Sequence, residues 1–196
     1  GRRVFLDLKL HDIPNTVART VDVLVRGGVR FLNVHAQGGS AMMAAAAQAA
    51  RQASEAVCQP GEPPATVIAV TLLTSLDAAA LADELRVPLP PEAYAPHLAA
   101  LAQAAGLDGV VCSPLEAGAI AARCGPGFLK VTPGVRPAGS GVGDDQARVS
   151  TPAGALRAGA THLVVGRPIY AAPDPAAATR AILDEMGDAL LGMPTC

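Results

Sequence analysis

Lysine is scarce in this sequence and tryptophan is missing from it. The 196 residues hold two lysines, Lys9 and Lys130, against 13 arginines, and the net charge is −2. That balance gives no basic surface of the kind that nucleic acid binding needs. No apolar run reaches the ~18 residues of a membrane-spanning helix, because Gly, Pro or charge interrupts each one. A charged segment followed by an apolar one is lacking at the start, so no signal peptide is expected. The four cysteines, Cys58, Cys112, Cys124 and Cys196, form no C-x-x-C pair and have no metal-ligand spacing. Free thiols in a reducing, cytoplasmic compartment are expected in place of a disulfide scaffold. No linker and no low-complexity tract beyond alanine interrupts the chain, so residues 1–196 read as a single domain. What is present is apolar. Hydrophobic residues make up 51% and charged residues 16%, which excludes a disordered chain. With 41 alanines and so strong a preference for Arg, the bias follows genome composition, and each lysine that survives it calls for a reason.

Short β-rich runs alternate with alanine-rich helical stretches. Strands are predicted at 4–9, 30–35, 65–72, 109–113, 128–132 and 162–166. Helices are predicted at 14–27, 40–57, 78–85 with 91–105, 114–123, 152–158 and 175–191. The strands are apolar without strict alternation, and the regular β-then-α order predicts parallel strands joined by right-handed crossovers. Pro114 and Pro152 each follow Ser or Thr, the cap-plus-proline signature of a helix start. Two loops are long: 59–64, a peripheral insertion, and 134–150, rich in Gly and carrying Asp144 and Asp145. Almost every strand ends in a polar or Gly-containing cluster. In a (β/α)8 barrel those C-terminal strand ends build the active site, with phosphate after the last two strands. TPGVR at 132–136 and VVGRPI at 164–169 have that character. The six visible units are then expected to be units three to eight, with two missing from the N-terminus and a chain that starts in mid-fold.

The segment DLKLHD, residues 7–12, is the strongest chemical signal. Alternation along a strand turns Asp7 and Lys9 to the same side, and Asp12 follows in the turn. A lysine between carboxylates stays protonated and can serve as a positioned proton donor, while the carboxylates repel an anionic group on a substrate. A bland alternative is an ion pair at a strand end with Asp12 capping the helix ahead of Pro14. Gly166 and Arg167 lie where a helix begins, an anion site by its free N–H groups and by the guanidinium. Together with Thr132 to Arg136 and a loop long enough to close as a lid, they favour a phosphate site. Thr74 and Ser75 either contact a ligand or begin a helix with Asp77. His35 either faces the site or is an interior histidine, and His11 packs locally. Met42 and Met43 are packing residues, and Asp144 and Asp145 are solvated loop charges.

FLDLKLHDIPNT (5–16), NVHAQGG (33–39), AVTLLTS (69–75), DGVVCS (108–113), VTPGVRP (131–137), DDQARV (144–149) and VVGRPI (164–169) occur in this order along essentially the whole chain. Together they resemble the bacterial-type orotidine 5'-phosphate decarboxylase family. The resemblance implies a (β/α)8 TIM barrel that converts orotidine 5'-monophosphate to UMP with neither metal nor organic cofactor. It implies that Asp7 lies near the substrate carboxylate and that Lys9 protonates C6 of the pyrimidine. It also implies a homodimer, in which Asp12 and Thr16 reach into the neighbouring subunit's site. Thr74 and Ser75 would lie near the pyrimidine; Arg136, Gln146, Gly166 and Arg167 would hold the phosphate under the 134–150 lid.

The sequence departs from the family in one respect. The first two β/α units of the family carry a ribose-binding aspartate and a second catalytic lysine, and nothing before Gly1 supplies them. Lys130, in the seventh strand, does not substitute. The 196-residue chain alone is therefore expected to be a fragment, inactive and poorly stable. Two alternatives are a Mg2+-dependent sugar-phosphate lyase of the same barrel group, against which HDIPNT, TPGVR and GRPI argue, and a non-catalytic phosphate-binding remnant of the enzyme.

Overall fold

A computed structural model describes residues 4–59, 61–137 and 150–191. The chain divides into two compact units, Gly1–Thr71 with Pro96–Val110, and Leu72–Ala95 with Val111–Cys196.

In the first unit, β1 (Phe5–Leu10), β2 (Phe31–His35) and β3 (Thr66–Val70) run parallel in chain order. β2 and β3 pair in unbroken register from Phe31 opposite Thr66 to His35 opposite Val70. β1 and β2 do not: Phe5 and Leu6 pair with Phe31 and Leu32, but Leu10 pairs with Val34, and the register slips in between. Helix α1 (Pro14–Arg26) starts at a proline whose missing N–H costs nothing at that position, and it buries Val17, Val21 and Val25 at a four-residue spacing. Its N-cap is Ile13, not Asp12, so the sequence reading of Asp12 as a cap is corrected. The Asp12 carboxylate accepts from Ile13 N–H at 2.7 Å instead. Helix α2 (Gly39–Val57) packs on α1, and it buries Met42, Met43 and a run of alanines, whose small side chains permit close approach of neighbouring elements. Ser54 fastens the far end of α2 to β3: its hydroxyl donates to Ala50 O at 2.7 Å and accepts from Ala65 N–H at 2.9 Å. Asp108, just before β4 (Gly109–Val111), clasps β3 twice. Its N–H donates to Val67 O at 2.9 Å and its carboxylate accepts from Val67 N–H at 2.7 Å.

Helix α3 (Pro91–Ala104) contributes to both units, and the division falls at Pro96 inside the helix. Proline lacks the N–H of an interior helical residue and its ring crowds the preceding turn, so a helix is weakest there.

In the second unit, Cys112 N–H donates to Val131 O beside the end of β4, and β5 (Leu129–Thr132) pairs parallel with β6 (His162–Leu163). Helices α4 (Pro114–Cys124) and α5 (Pro152–Arg157) start as their Ser-Pro and Thr-Pro pairs predict. Ser113 and Glu116 form a capping box, and Thr151 accepts from Gly154 N–H at 3.0 Å. The predicted helix at 78–85 is mainly a π turn over Ala80–Glu84, entered where Asp77 accepts from Ala80 N–H at 2.8 Å. β4 and β6 end earlier than predicted, at Val111 and Leu163, because Ser113 turns to cap α4 and the chain beyond β6 turns towards α6 (Arg167–Tyr170). That short helix was not predicted. α7 (Pro175–Leu191) follows, and Ala189 packs with Ala153 and Leu156 of α5.

Parallel strands in chain order, each followed by helix, are the pattern of a (β/α)8 barrel, and six of its units lie in this chain. Among the described residues, no helix is long and apolar enough to cross a membrane.

Candidate active site

The charged residues of DLKLHD gather at the end of β1, where the register slips. Lys9 has φ 51°, a left-handed backbone that L-residues other than Asn, Asp and Gly rarely take. Its ammonium donates to Asp7 Oδ2 at 2.7 Å, and the two side chains are 41% and 49% exposed, so the pair is open to an arriving molecule. The other carboxylate oxygen, Asp7 Oδ1, accepts from Asn33 Nδ2 at 2.6 Å. Asn33 Oδ1 in turn accepts the Lys9 backbone N–H at 2.8 Å. Three residues thus close a ring of hydrogen bonds.

Electrostatics follow from that ring. Burial works against ionisation of Asp7, but hydrogen bonds from Lys9 and Asn33, and then the nearby positive charge, outweigh it and hold the carboxyl below its ordinary range. His35, at the end of β2, is pushed the other way from charge. Burial, then His11 and Lys9, lower its pKa against the pull of Asp7, so it stays a neutral imidazole at neutral pH. Its ring lies against that of His11, centroids 5.4 Å apart, and its Nδ1 is buried with no hydrogen-bond partner among the described residues. His35 is thus not a satisfied interior histidine, and it lies close enough to Asp7 and Lys9 to feel their charges. Asp12 and Thr16 are exposed just beyond, at the start of α1.

Lys130 belongs elsewhere. It is 1% exposed, and its ammonium donates to Phe128 O at 2.8 Å and Pro126 O at 3.3 Å, at the entrance of β5, with burial lowering its pKa. It is a structural lysine, as its position in the sequence implied. Cys58, Cys112 and Cys124 are free thiols, and burial pushes Cys112 up to about 12, which makes it unreactive.

The second unit carries the remaining sequence-predicted residues. Thr74 and Ser75 sit in the turn that follows β3, Thr74 partly buried and Ser75 exposed. Arg136 lies beyond β5, its N–H bonded to Ser150 O at 2.9 Å, which ties the two ends of the 134–150 loop. Gly166 is the N-cap of α6 and Arg167 its first residue, exposed. Gln146, Asp144 and Asp145 lie outside the described residues. Asn33 received no role from the sequence; the available signals were a polar residue interrupting the apolar run FLNVH and its place at the head of the NVHAQGG segment.

A sequence model of the orotidine 5'-phosphate decarboxylase / HUMPS family matches residues 1–182. The chain belongs to this family. It is 58% identical over 186 residues to an orotidine 5'-phosphate decarboxylase of Moorella thermoacetica, an alignment covering 95% of this chain and 72% of that protein. A protein of the same name from Halorhodospira halophila is 55% identical, over 96% of this chain and 76% of its own length. Among solved structures, the orotidine 5'-phosphate decarboxylase of Lactobacillus acidophilus superposes with a TM-score of 0.81 at 40% identity, covering 95% of this chain and 76% of that one. Membership in the family, inferred from the motifs, is thereby established, and the barrel fold with it.

Proposed function

We propose that this chain carries the decarboxylation of orotidine 5'-monophosphate to UMP, in pyrimidine nucleotide synthesis in the cytoplasm, with no metal or organic cofactor. The observation that carries the reading is the ammonium of Lys9, held 2.7 Å from Asp7 at an accessible strand end in a chain of this family. The bond between C6 and the carboxylate breaks, CO2 leaves, and the electron pair stays on C6. Lys9 delivers its proton to that carbon, giving UMP, and regains a proton from water. A carbanion at C6 has little resonance relief, so fixed charge must stabilise it. Asp7, kept ionised below the ordinary carboxyl range, opposes the substrate carboxylate in the ground state and not after CO2 has left.

Further assignments belong to the same reading. Thr74 and Ser75 contact the pyrimidine. Arg136, Gln146, Gly166 and Arg167 hold the phosphate, whose binding energy drives closure of the 134–150 loop. The protein is a homodimer in which Asp12 and Thr16 complete the partner's site, a role consistent with their exposure at the start of α1. The chain is part of an eight-unit barrel.

The test is Lys9→Ala. Turnover of orotidine 5'-monophosphate should fall by at least about 1,000-fold, the range of a lost positioned proton donor, while UMP affinity changes little. Activity that survives in the variant would sink the proton-donor role. A rate that survives EDTA separates this reading from a Mg2+-dependent sugar-phosphate lyase, which would lose it.

A further inference from the structure

We infer that Asn33 is a positioning residue for the Asp7–Lys9 pair, its amide oxygen fixing the backbone that carries Lys9 and its amide nitrogen fixing the carboxylate that Lys9 touches. The inference rests on the reaction proposed above.

Asn33 sits in the middle of β2 with Leu32 and Val34 as neighbours, and it is completely buried. An asparagine is a poor choice for the interior of a parallel strand, and burying its amide is unfavourable unless both ends are bonded. Here both are, at 2.8 Å to Lys9 N–H and 2.6 Å to Asp7 Oδ1. Only one orientation of the amide satisfies the pair, since the reverse would set N–H against N–H and oxygen against a carboxylate.

The two bonds fall where β1 departs from regular geometry. Register with β2 slips between Leu6 and Leu10, and within that interval Lys9 takes its left-handed φ of 51°. Such a conformation in a non-glycine residue persists only where its surroundings dictate it. The Asn33 side chain takes the Lys9 N–H at this point, which holds the irregularity open. The same side chain holds Asp7 by one oxygen, leaving the other to face the ammonium. Without Asn33, Lys9 is free to return to extended backbone, and its ammonium moves relative to the carboxylate. A misplacement near 1 Å is enough to cost about 100-fold in rate.

Two variants separate the two ends of the amide. Asn33→Leu removes both bonds and keeps the branching of the side chain, with two methyl groups in place of the amide oxygen and nitrogen. Asn33→Asp keeps an acceptor for Lys9 N–H but sets a second carboxylate against Asp7. In both, kcat should fall by about 100-fold while KM and UMP affinity stay within about threefold. Amide hydrogen exchange at Lys9 should speed up at least about tenfold in Asn33→Leu and hold near wild type in Asn33→Asp, with Val67 in β3 unchanged in both. A wild-type kcat in Asn33→Leu overturns the inference. So does a loss of kcat accompanied by faster exchange at Val67, which marks general loosening of the unit. If the wild-type protein at the full length of its relatives fails to turn over orotidine 5'-monophosphate, the proposed reaction falls instead, and the exchange pattern at Lys9 still decides whether Asn33 holds that backbone.

Discussion

At Asp7, burial and hydrogen bonding pull in opposite directions, and the hydrogen bonds win. Because its folded pKa is depressed, the carboxylate contributes stability that is present above the ordinary carboxylate value and is lost as pH falls through the lowered folded value. Asp7→Asn should therefore melt below wild type at neutral pH, with the gap closing as pH falls from the ordinary carboxylate range through the lowered folded value. Melting curves of the two proteins across that range check it; a gap that widens in acid would contradict the depressed pKa. That Asp7 and Lys9 form a pair was legible from opposite charges two residues apart, but the left-handed backbone at Lys9 departs from the regular alternation assumed for the strand. Asn33 was not legible as their holder. Its role exists only through a slip between two strands separated by a whole helix, and no local pattern in FLNVH encodes a cross-strand partner.

Among the elements, helix starts were the most readable feature. A hydroxyl residue followed by proline satisfies free N–H groups and presets φ, both local effects. Ser113 is fully buried and accepts from Leu115 N–H, while Glu116 Oε2 accepts from Ser113 N–H at 3.0 Å. Ser113→Ala should cost about 1 kcal/mol, read from urea unfolding with an unchanged m-value. Asp77, by contrast, opens a π turn instead of an ordinary helix, and α6 is four residues long. Neither leaves a periodic trace, because each is shorter than two turns and its geometry is imposed by packing. Leu81, for instance, is buried against Leu72 and Ala95.

For the whole molecule, the repeated β-then-α order was readable because apolar strands covered by amphipathic helices allow few arrangements. The proposed homodimer with shared sites is tested by mixing experiments. If Asp12 serves the partner's Lys9, then Lys9→Ala and Asp12→Asn proteins, each inactive alone, should regain about a quarter of wild-type activity after subunit exchange, since half the dimers then own one intact site. Mixtures that stay inactive would place Asp12 within its own subunit's site or outside it. The contrast between the two lysines has a further use. Lys130 is sealed at 1% exposure, whereas the Lys9 side chain is 41% exposed. Within residues 1–196 the accessible lysine side chain is that of Lys9, so the acylated peptide that carries it reports its occupancy directly, and UMP bound over it would slow the labelling.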